Sequence, residues 1–571
     1  MTSVTVDRIE QFARTPRIAY FSMEIALESA IPTYAGGLGV LAGDVLRSAA
    51  DMNLPMIGVT LVSSGGYFRQ HIDDGGRQHE VDAAWDPQQH GAVRVDAAVA
   101  VNIEGRQVWL GAWLYVIRSR FAGCEPVLLL DTDLPVNHAV DRGITRCLYG
   151  GDARYRLKQE AVLGIGGVRM LNALGIHVRR YHMNEGHSAL LALELLRETA
   201  SASSLVHRGE TEHDPQAVRR LTNFTTHTPI EAGHDRFSYD DVKAILGDDL
   251  SLDVIRVHAG YECLDMTRLA FSLSGFVNGV AKSHARVSHE MYPEVDVHSI
   301  TNGVHAFTWT CAPFVRLYDR FMPRWCCEPE ALIRADQIPD EEIVTAHREQ
   351  KGILIDRLNR SGAVFNPEHL TIGFGRRMTE YKRPALLFSD IDRLLEISSR
   401  FPLQLVFAGK AHPHDEPGKE LIASLRALQQ RLQGRIPMAF IPDYDMDTGL
   451  LLVSGVDVWL NTPRPPLEAS GTSGMKAALN GVPSLSILDG WWLEGWIEGV
   501  TGWAIDSVDA HSDSADAAAL YDKLANVVLP TFYRDPSRWI SVMKGAISRN
   551  GSMFNSHRMV RRYAAEVYCA S

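Results

Sequence analysis

Between Leu370 and Leu488, short apolar runs alternate with longer segments of helical composition. The pattern predicts strands at Leu370–Gly373, Leu403–Phe407, Met438–Ile441, Val456–Leu460 and Ser484–Leu488, with helices between them. Strands separated by helical crossovers cannot pair as hairpins, so the sheet must be parallel and covered by helices on both faces. Such sheets gather their ligands at the carboxyl ends of the strands. The residues leaving those ends are therefore the first to read for chemistry.

Two exits stand out. The first strand runs into Arg376-Arg377-Met378-Thr379-Glu380-Tyr381-Lys382-Arg383, with four cations in eight residues. A charge run is usually a solvated face, but this one stands where a parallel sheet opens onto its crevice. The fourth strand runs into Glu468-Ala469-Ser470-Gly471-Thr472-Ser473-Gly474-Met475-Lys476, which opens a short helix that stops at Gly481. Gly471 and Gly474 permit a tight turn and close approach to the main chain. Free amides at a helix start favour an anion such as phosphate. Lys476 could neutralise that anion or condense with a carbonyl cofactor. A P-loop would need Gly-Lys followed by Ser or Thr, and Gly474-Met475-Lys476-Ala477 does not supply it. A glycine- and serine-rich turn with a solvated lysine satisfies composition equally well.

The amino-terminal half repeats the theme less cleanly. Ile18–Glu24 and Pro55–Val62 read as strands, residues 78–132 as β-rich, and Arg154–Ala173 as a helix. Ala35-Gly36-Gly37-Leu38-Gly39-Val40-Leu41-Ala42-Gly43-Asp44 has glycines spaced GxGxxxG, a weak dinucleotide signal that serves equally as a packing turn. His182-Met183-Asn184-Glu185-Gly186-His187 has the order HxxxxH rather than HExxH, and no metal is expected. The run Leu221–Thr228 ends in His227, which could face a ligand crevice or sit in the core. Val277–Ser288 reads as helix, Asn302-Gly303 as a turn, and residues 312–365 as a polar, helical joining segment. Trp539–Tyr568 reads as a last helix that packs back on the first half. The organisation expected is an amino-terminal unit over residues 1–320 and a carboxyl-terminal unit over residues 321–571. Trp491, Trp492, Trp496 and Trp503 could stack on sugars or fill a core.

At 571 residues the chain exceeds what one core supports. A net charge of −12 argues against nucleic acid as the main partner. The seven cysteines show neither zinc spacing nor a disulfide framework, which suits a reducing cytoplasm. No run of apolar residues is long enough for a membrane span, and the amino terminus has no signal core.

The stretch Glu468–Lys476 resembles the pyridoxal-phosphate lysine segment of the glycogen and α-glucan phosphorylases. Its flanks agree, from Gly455-Val456-Asp457-Val458-Trp459-Leu460 to Leu488-Asp489-Gly490-Trp491-Trp492, and the resemblance runs from about Arg17 to about Tyr568. It is nearest to the shorter bacterial forms. The resemblance implies two Rossmann-like domains facing a cleft, the GT-B fold. It implies phosphorolysis of an α-1,4-glucan or maltooligosaccharide by inorganic phosphate, giving α-glucose 1-phosphate with pyridoxal 5′-phosphate as cofactor. A homodimer is compatible with it. It assigns Lys476 to the cofactor, with Gly471, Thr472, Gly37, Arg376 and Trp309 around it. Arg377 and Lys382 are assigned to the substrate phosphate, and His227 to the glucosyl unit. Glu468, Ala469, Ser470, Asn302, Tyr381, Asn184, Glu185, His187 and Leu38 are assigned to the substrate.

The chain departs from that pattern at Ser63-Ser64, where relatives carry an aromatic and a basic residue, and at Glu231, where they carry proline. Two alternatives follow: a specialised pyridoxal-phosphate glycosyltransferase of the same family, and a glucan-binding homologue without turnover.

Overall fold

The computed structural model describes residues 10–202, 211–230, 233–247, 251–507 and 512–569. Two sheets dominate it. The first has ten strands. Its principal members are β1 (Arg17–Phe21), β2 (Met56–Leu61), β3 (Arg106–Arg118), β4 (Cys124–Asp131), β5 (Val178–Asn184), β6 (Thr222–Thr225), β7 (Phe276–Gly279) and β8 (His298–Ser299). They lie in the order β8-β7-β6-β5-β1-β2-β4-β3. All neighbours are parallel up to β4, and β3 pairs with β4 antiparallel.

The second sheet has six strands: β9 (Leu370–Gly375), β10 (Leu403–Ala408), β11 (Met438–Ile441), β12 (Val458–Asn461), β13 (Ser484–Ile487) and β14 (Gly502–Ile505). Their order is β11-β10-β9-β12-β13-β14, parallel throughout. Every residue of β2, β9 and β10 is buried. A parallel strand covered on both faces must be apolar along its whole length, which is why these segments read as unbroken hydrophobic runs.

Strand order reverses between β9 and β12 in the second sheet and between β1 and β5 in the first. Loops leaving adjacent strands at such a point diverge and leave a crevice. The ends of the two sheets meet across it. Tyr34 Oη accepts from Met446 N at 3.2 Å, and Lys410 Nζ donates to the Phe68 carbonyl at 3.1 Å.

Helix α1 (Gly37–Asp51) follows β1 and packs along the first sheet. Helix α2 (Lys282–Met291) follows β7. Helix α3 (Asp340–Arg360) lies between the sheets in sequence, and α4 (Ser473–Ala478) follows β12. The chain then returns. Helix α5 (Ser556–Tyr563) shares an apolar cluster with α1 through Met559, Val560 and Tyr563. Polar contacts pin the same segment: Tyr568 Oη and His182 Nδ1 lie 2.6 Å apart, and Arg558 donates to the Thr301 carbonyl at 2.8 Å.

Three segments differ from the sequence reading. Val277–Ser288 is not one helix, because Phe276–Gly279 pairs as β7 and the helix starts only at Lys282. Trp539–Tyr568 is not one helix either. It breaks before Asn555, whose Oδ1 accepts from Arg558 N at 2.7 Å and caps α5. Arg154–Ala173 is helical but widens to a π-turn at Val162–Gly166. There a Cβ on Gly164 would sit 2.5 Å from Leu191 N, so the glycine lets two helices touch. Among the described residues no helix is long and apolar enough to cross a membrane.

Candidate active site at the facing sheet ends

On the second sheet, β9 ends at Gly375 and delivers the cation run directly into the crevice. Arg376 donates to Asn461 at the end of β12 and to Glu468 Oε2 at 2.6 Å. Lys382 Nζ donates to the same oxygen at 2.6 Å and lies 4.3 Å from the centroid of the Tyr381 ring. One carboxylate therefore holds two cations. Burial alone would raise the Glu468 pKa, but Arg376 and Lys382 overcome it and hold the group ionised. Burial, reinforced by the Arg376 charge, pushes Lys382 down. Glu468 is itself fixed from behind, its amide donating to Asp489 Oδ2 at 2.9 Å.

Arg377 is different. It is exposed, and among the described residues no carboxylate stands within ion-pair distance of it. Its guanidinium lies against the opposite sheet's glycine loop, where a Cβ on Gly36 would come within 3.2 Å of Nη2. A Cβ on Gly37 would meet nothing within 4 Å, so open space lies at the start of α1. Leu38 follows, half-buried.

Lys476 sits in α4 and is buried. Its Nζ is 3.6 Å from the centroid of the Trp309 indole. Burial brings its pKa down to about 8. Trp309 is held in turn by Asp44 Oδ2, which accepts from Nε1 at 2.8 Å. Asn480 Nδ2 donates to the Trp309 and Lys476 carbonyls, tying helix and indole together. At the start of α4 a small cavity is lined by Arg376, Asn461, Gly471, Ser473, Gly474 and Trp492. Gly471 has φ +72°, which glycine adopts freely. Arg376 Nε and Trp492 Nε1 are buried donors without a partner. Ala469 and Thr472 are half-buried beside this loop, and Ser470 is buried.

The first sheet contributes a second cluster. β5 ends at Asn184, whose Oδ1 accepts from His227 Nε2 at 2.7 Å. Glu185 adopts φ +74° and turns its carboxylate to three donors: Gly186 N, His227 N and Thr228 Oγ1. Burial pushes His227 down to about 4, so its imidazole is neutral at pH 7 with a proton at Nε2. His187 Nε2 pairs with Asp235 at 3.3 Å, and its Nδ1 is buried without a partner. Asn302 is also buried, with Oδ1 unsatisfied. Orphaned buried polar atoms are rare in folded proteins and need a reason. Here a polyhydroxylated ligand would supply their partners.

The site residues read from the sequence thus fall into three groups. Arg376, Tyr381, Lys382 and Glu468 form one, Lys476 and Trp309 a second, and Asn184, Glu185 and His227 a third. Arg377 meets the glycine loop between them. Sequence reading missed Glu24, Asp44 and Asp489. Glu24 Oε2 accepts from Ala35 N and Gly36 N and so shapes the glycine loop. Asp44 was visible as an acid inside the apolar run Val40–Leu46 of α1, and it is fully buried. Ser63 is buried at φ +44°, and its carbonyl accepts from Trp85 Nε1. Glu231 lies outside the described residues. Trp491, Trp492 and Trp503 are core residues rather than sugar platforms.

A family model described as carbohydrate phosphorylase matches residues 234–495. The chain is 37% identical to a maltodextrin phosphorylase of Thermococcus litoralis, over 96% of this chain and 70% of that protein. It is 37% identical to a glycogen phosphorylase of Mycobacterium tuberculosis over the same shares. It is 36% identical to a glycogen phosphorylase of Aquifex aeolicus, over 96% of this chain and 86% of the relative. Two facing doubly wound sheets and these similarities over nearly the whole chain lead to one conclusion: the protein belongs to the carbohydrate phosphorylase family, with its GT-B fold.

Proposed function

We propose that this protein is a retaining α-glucan phosphorylase that releases α-D-glucose 1-phosphate from an α-1,4-glucan with inorganic phosphate. The observation that carries the reading is Arg377, a cation without a carboxylate partner among the described residues, set against the Gly36-Gly37-Leu38 loop. An unpaired guanidinium beside open space suits a phosphate, which it binds in bidentate fashion. Lys382 lies in the same cation run and supplies a second charge.

The residues around Lys476 fit pyridoxal phosphate. A buried amine with a pKa near 8 is uncharged in about one molecule in ten at pH 7, against about one in a few thousand for an ordinary lysine, and condensation with a carbonyl requires the uncharged form. Trp309 offers a flat wall, and Arg376 Nε with the Gly471–Gly474 loop offers a seat for a phosphate group. When bound, pyridoxal phosphate supplies a phosphate group able to exchange a proton with the substrate phosphate.

The protein's own groups do the rest. Arg376, Arg377 and Lys382 offset the repulsion between two phosphates held close together. His227 stays neutral, its Nε2 proton committed to Asn184, so the imidazole orients the sugar without adding charge. Glu468, Tyr381, Asn302, Asn184 and His187 present polar atoms to sugar hydroxyls.

The test is the reverse reaction. Holoprotein with glucose 1-phosphate and maltooligosaccharides should lengthen the chains and release phosphate, since one site stabilises one transition state for both directions. Affinity for maltooligosaccharides without extension would favour a binding homologue instead.

A further inference from the structure

We propose that Asp51, His305 and His557 form a binding site for a divalent metal ion of the zinc type, outside the candidate active site. The three residues come from distant parts of the chain: the last residue of α1, the loop after β8, and the first turn of α5. One ligand atom from each lies within 4.8 Å of the others. Asp51 Oδ2 is 2.8 Å from His305 Nε2 and 3.2 Å from His557 Nε2. The two imidazoles stack with centroids 5.6 Å apart and planes inclined by 19°.

His557 points most strongly to a ligand. It is fully buried, and neither ring nitrogen has a hydrogen-bond partner. Its Nε2 approaches Asp51 without the alignment of a hydrogen bond. A fully buried imidazole should not be left so, because the lost hydrogen bonds to water go uncompensated. A metal ion bound at Nε2 would give that nitrogen its partner.

The surroundings match a metal site. Ser119 Oγ donates to Asp51 Oδ1 at 2.6 Å, fixing the carboxylate and leaving Oδ2 to face the histidines. Thr308 Oγ1 lies 2.7 Å from His305 Nδ1, which orients that ring with Nε2 toward Asp51. Partners of this kind, here holding the far sides of Asp51 and His305, are characteristic of protein metal centres. Two imidazoles and one carboxylate leave a coordination position open. Asp51, His305 and Thr308 also line a cavity of about 500 Å³, which provides a route of entry and room for water or an anion at that position. Arg118 and Arg120 line the same cavity and favour the anion. Metal binding requires only that the histidines be unprotonated at Nε2 and the carboxylate ionised. A bound ion would clamp α5 to α1 and so hold the returning end of the chain on the first sheet.

The experiment uses the full-length protein without a histidine tag, stripped with a chelator and titrated with Co²⁺ and with Zn²⁺. One equivalent should bind per chain, with visible Co²⁺ absorption bands. Zinc-edge X-ray absorption should show two imidazoles and an oxygen at about 2.0–2.1 Å. His557→Gln and Asp51→Asn should each abolish the bands and weaken binding on the order of 100-fold or more, since losing even an outer partner costs about 10–100-fold. The metal should also raise the melting temperature of the parent and not of the variants. Sub-stoichiometric binding, or a zinc-edge spectrum without imidazoles, overturns the proposal. Bands that persist in a folded variant do the same. Should both variants fail to fold, the spectrum of the parent protein decides alone.

Discussion

The Lys476 amine lies 3.6 Å from the centroid of the Trp309 ring, and the same indole donates to a fully buried carboxylate, Asp44, at 2.8 Å. The lysine reaches this wall from α4 behind the second sheet, whereas Asp44 sits in α1 on the first. One aromatic ring therefore links the loop that would seat the cofactor to the helix whose start borders the glycine loop. Burial lowers the Lys476 pKa to about 8 against the opposing pull of Asp44.

The rate at which the apoprotein takes up pyridoxal phosphate should follow that pKa. The amine attacks a carbonyl only when uncharged, and the uncharged fraction grows as pH rises through the pKa. Stopped-flow absorbance should show the rate rising with a midpoint near 8. A midpoint near the ordinary lysine value of about 10.4 would contradict the buried setting.

Trp309→Phe keeps the ring over Lys476 and removes the donor to Asp44. The carboxylate retains the His305 amide at 3.1 Å but loses its indole partner. Urea denaturation should show a loss of about 1–3 kcal/mol. A change below about 0.5 kcal/mol, typical of surface substitutions, would mean the bond contributes little.

Glu468→Gln frees Arg376 and Lys382 from a carboxylate that competes with incoming phosphate. The KM for phosphate should fall several-fold, because removing a negative charge a few ångströms away is worth about 1–3 kcal/mol at an effective dielectric constant near 20. At the same time kcat should fall if Glu468 also contacts the sugar as proposed. A raised KM for phosphate would show that the carboxylate organises the cations rather than competing for them.

Arg377→Ala should leave folding intact, because among the described residues the guanidinium supports no ion pair. Turnover at saturating glucan should drop on the order of 10²-fold, the equivalent of a few kcal/mol of lost charge-assisted hydrogen bonding. Maltooligosaccharide affinity should change little. Equal turnover in variant and parent at saturating phosphate would remove Arg377 from phosphate binding.

The second sheet was legible because parallel strands covered on both sides carry their signal in a few residues each. Met438–Ile441 was read with its observed bounds, and Leu403–Ala408 within one residue. β14 escaped notice, since it starts at a glycine and holds only four residues. β7 was absorbed into a helix because Val277 and Val280 fit either period, and only pairing with β6 decides. In the site, the loop exits were visible as composition. The partnerships were not. His227 meets Asn184 across 43 positions, and Glu468 gathers cations 92 and 86 residues upstream. Sequence spacing carries no trace of such contacts, so the roles came from resemblance and the distances from the fold. The Asp51–His305–His557 cluster was invisible for the same reason, its members lying hundreds of residues apart.

The most direct test of the phosphorylase reading is to incubate cofactor-loaded protein with maltoheptaose and inorganic phosphate and follow the phosphorus and anomeric proton resonances. Borohydride reduction and peptide mapping of the same sample should find the pyridoxyl group on Lys476. The expected result is α-D-glucose 1-phosphate, formed with retention and accompanied by shortened chains. Protein loaded at Lys476 that yields no sugar phosphate would contradict α-glucan phosphorolysis as the activity of this site.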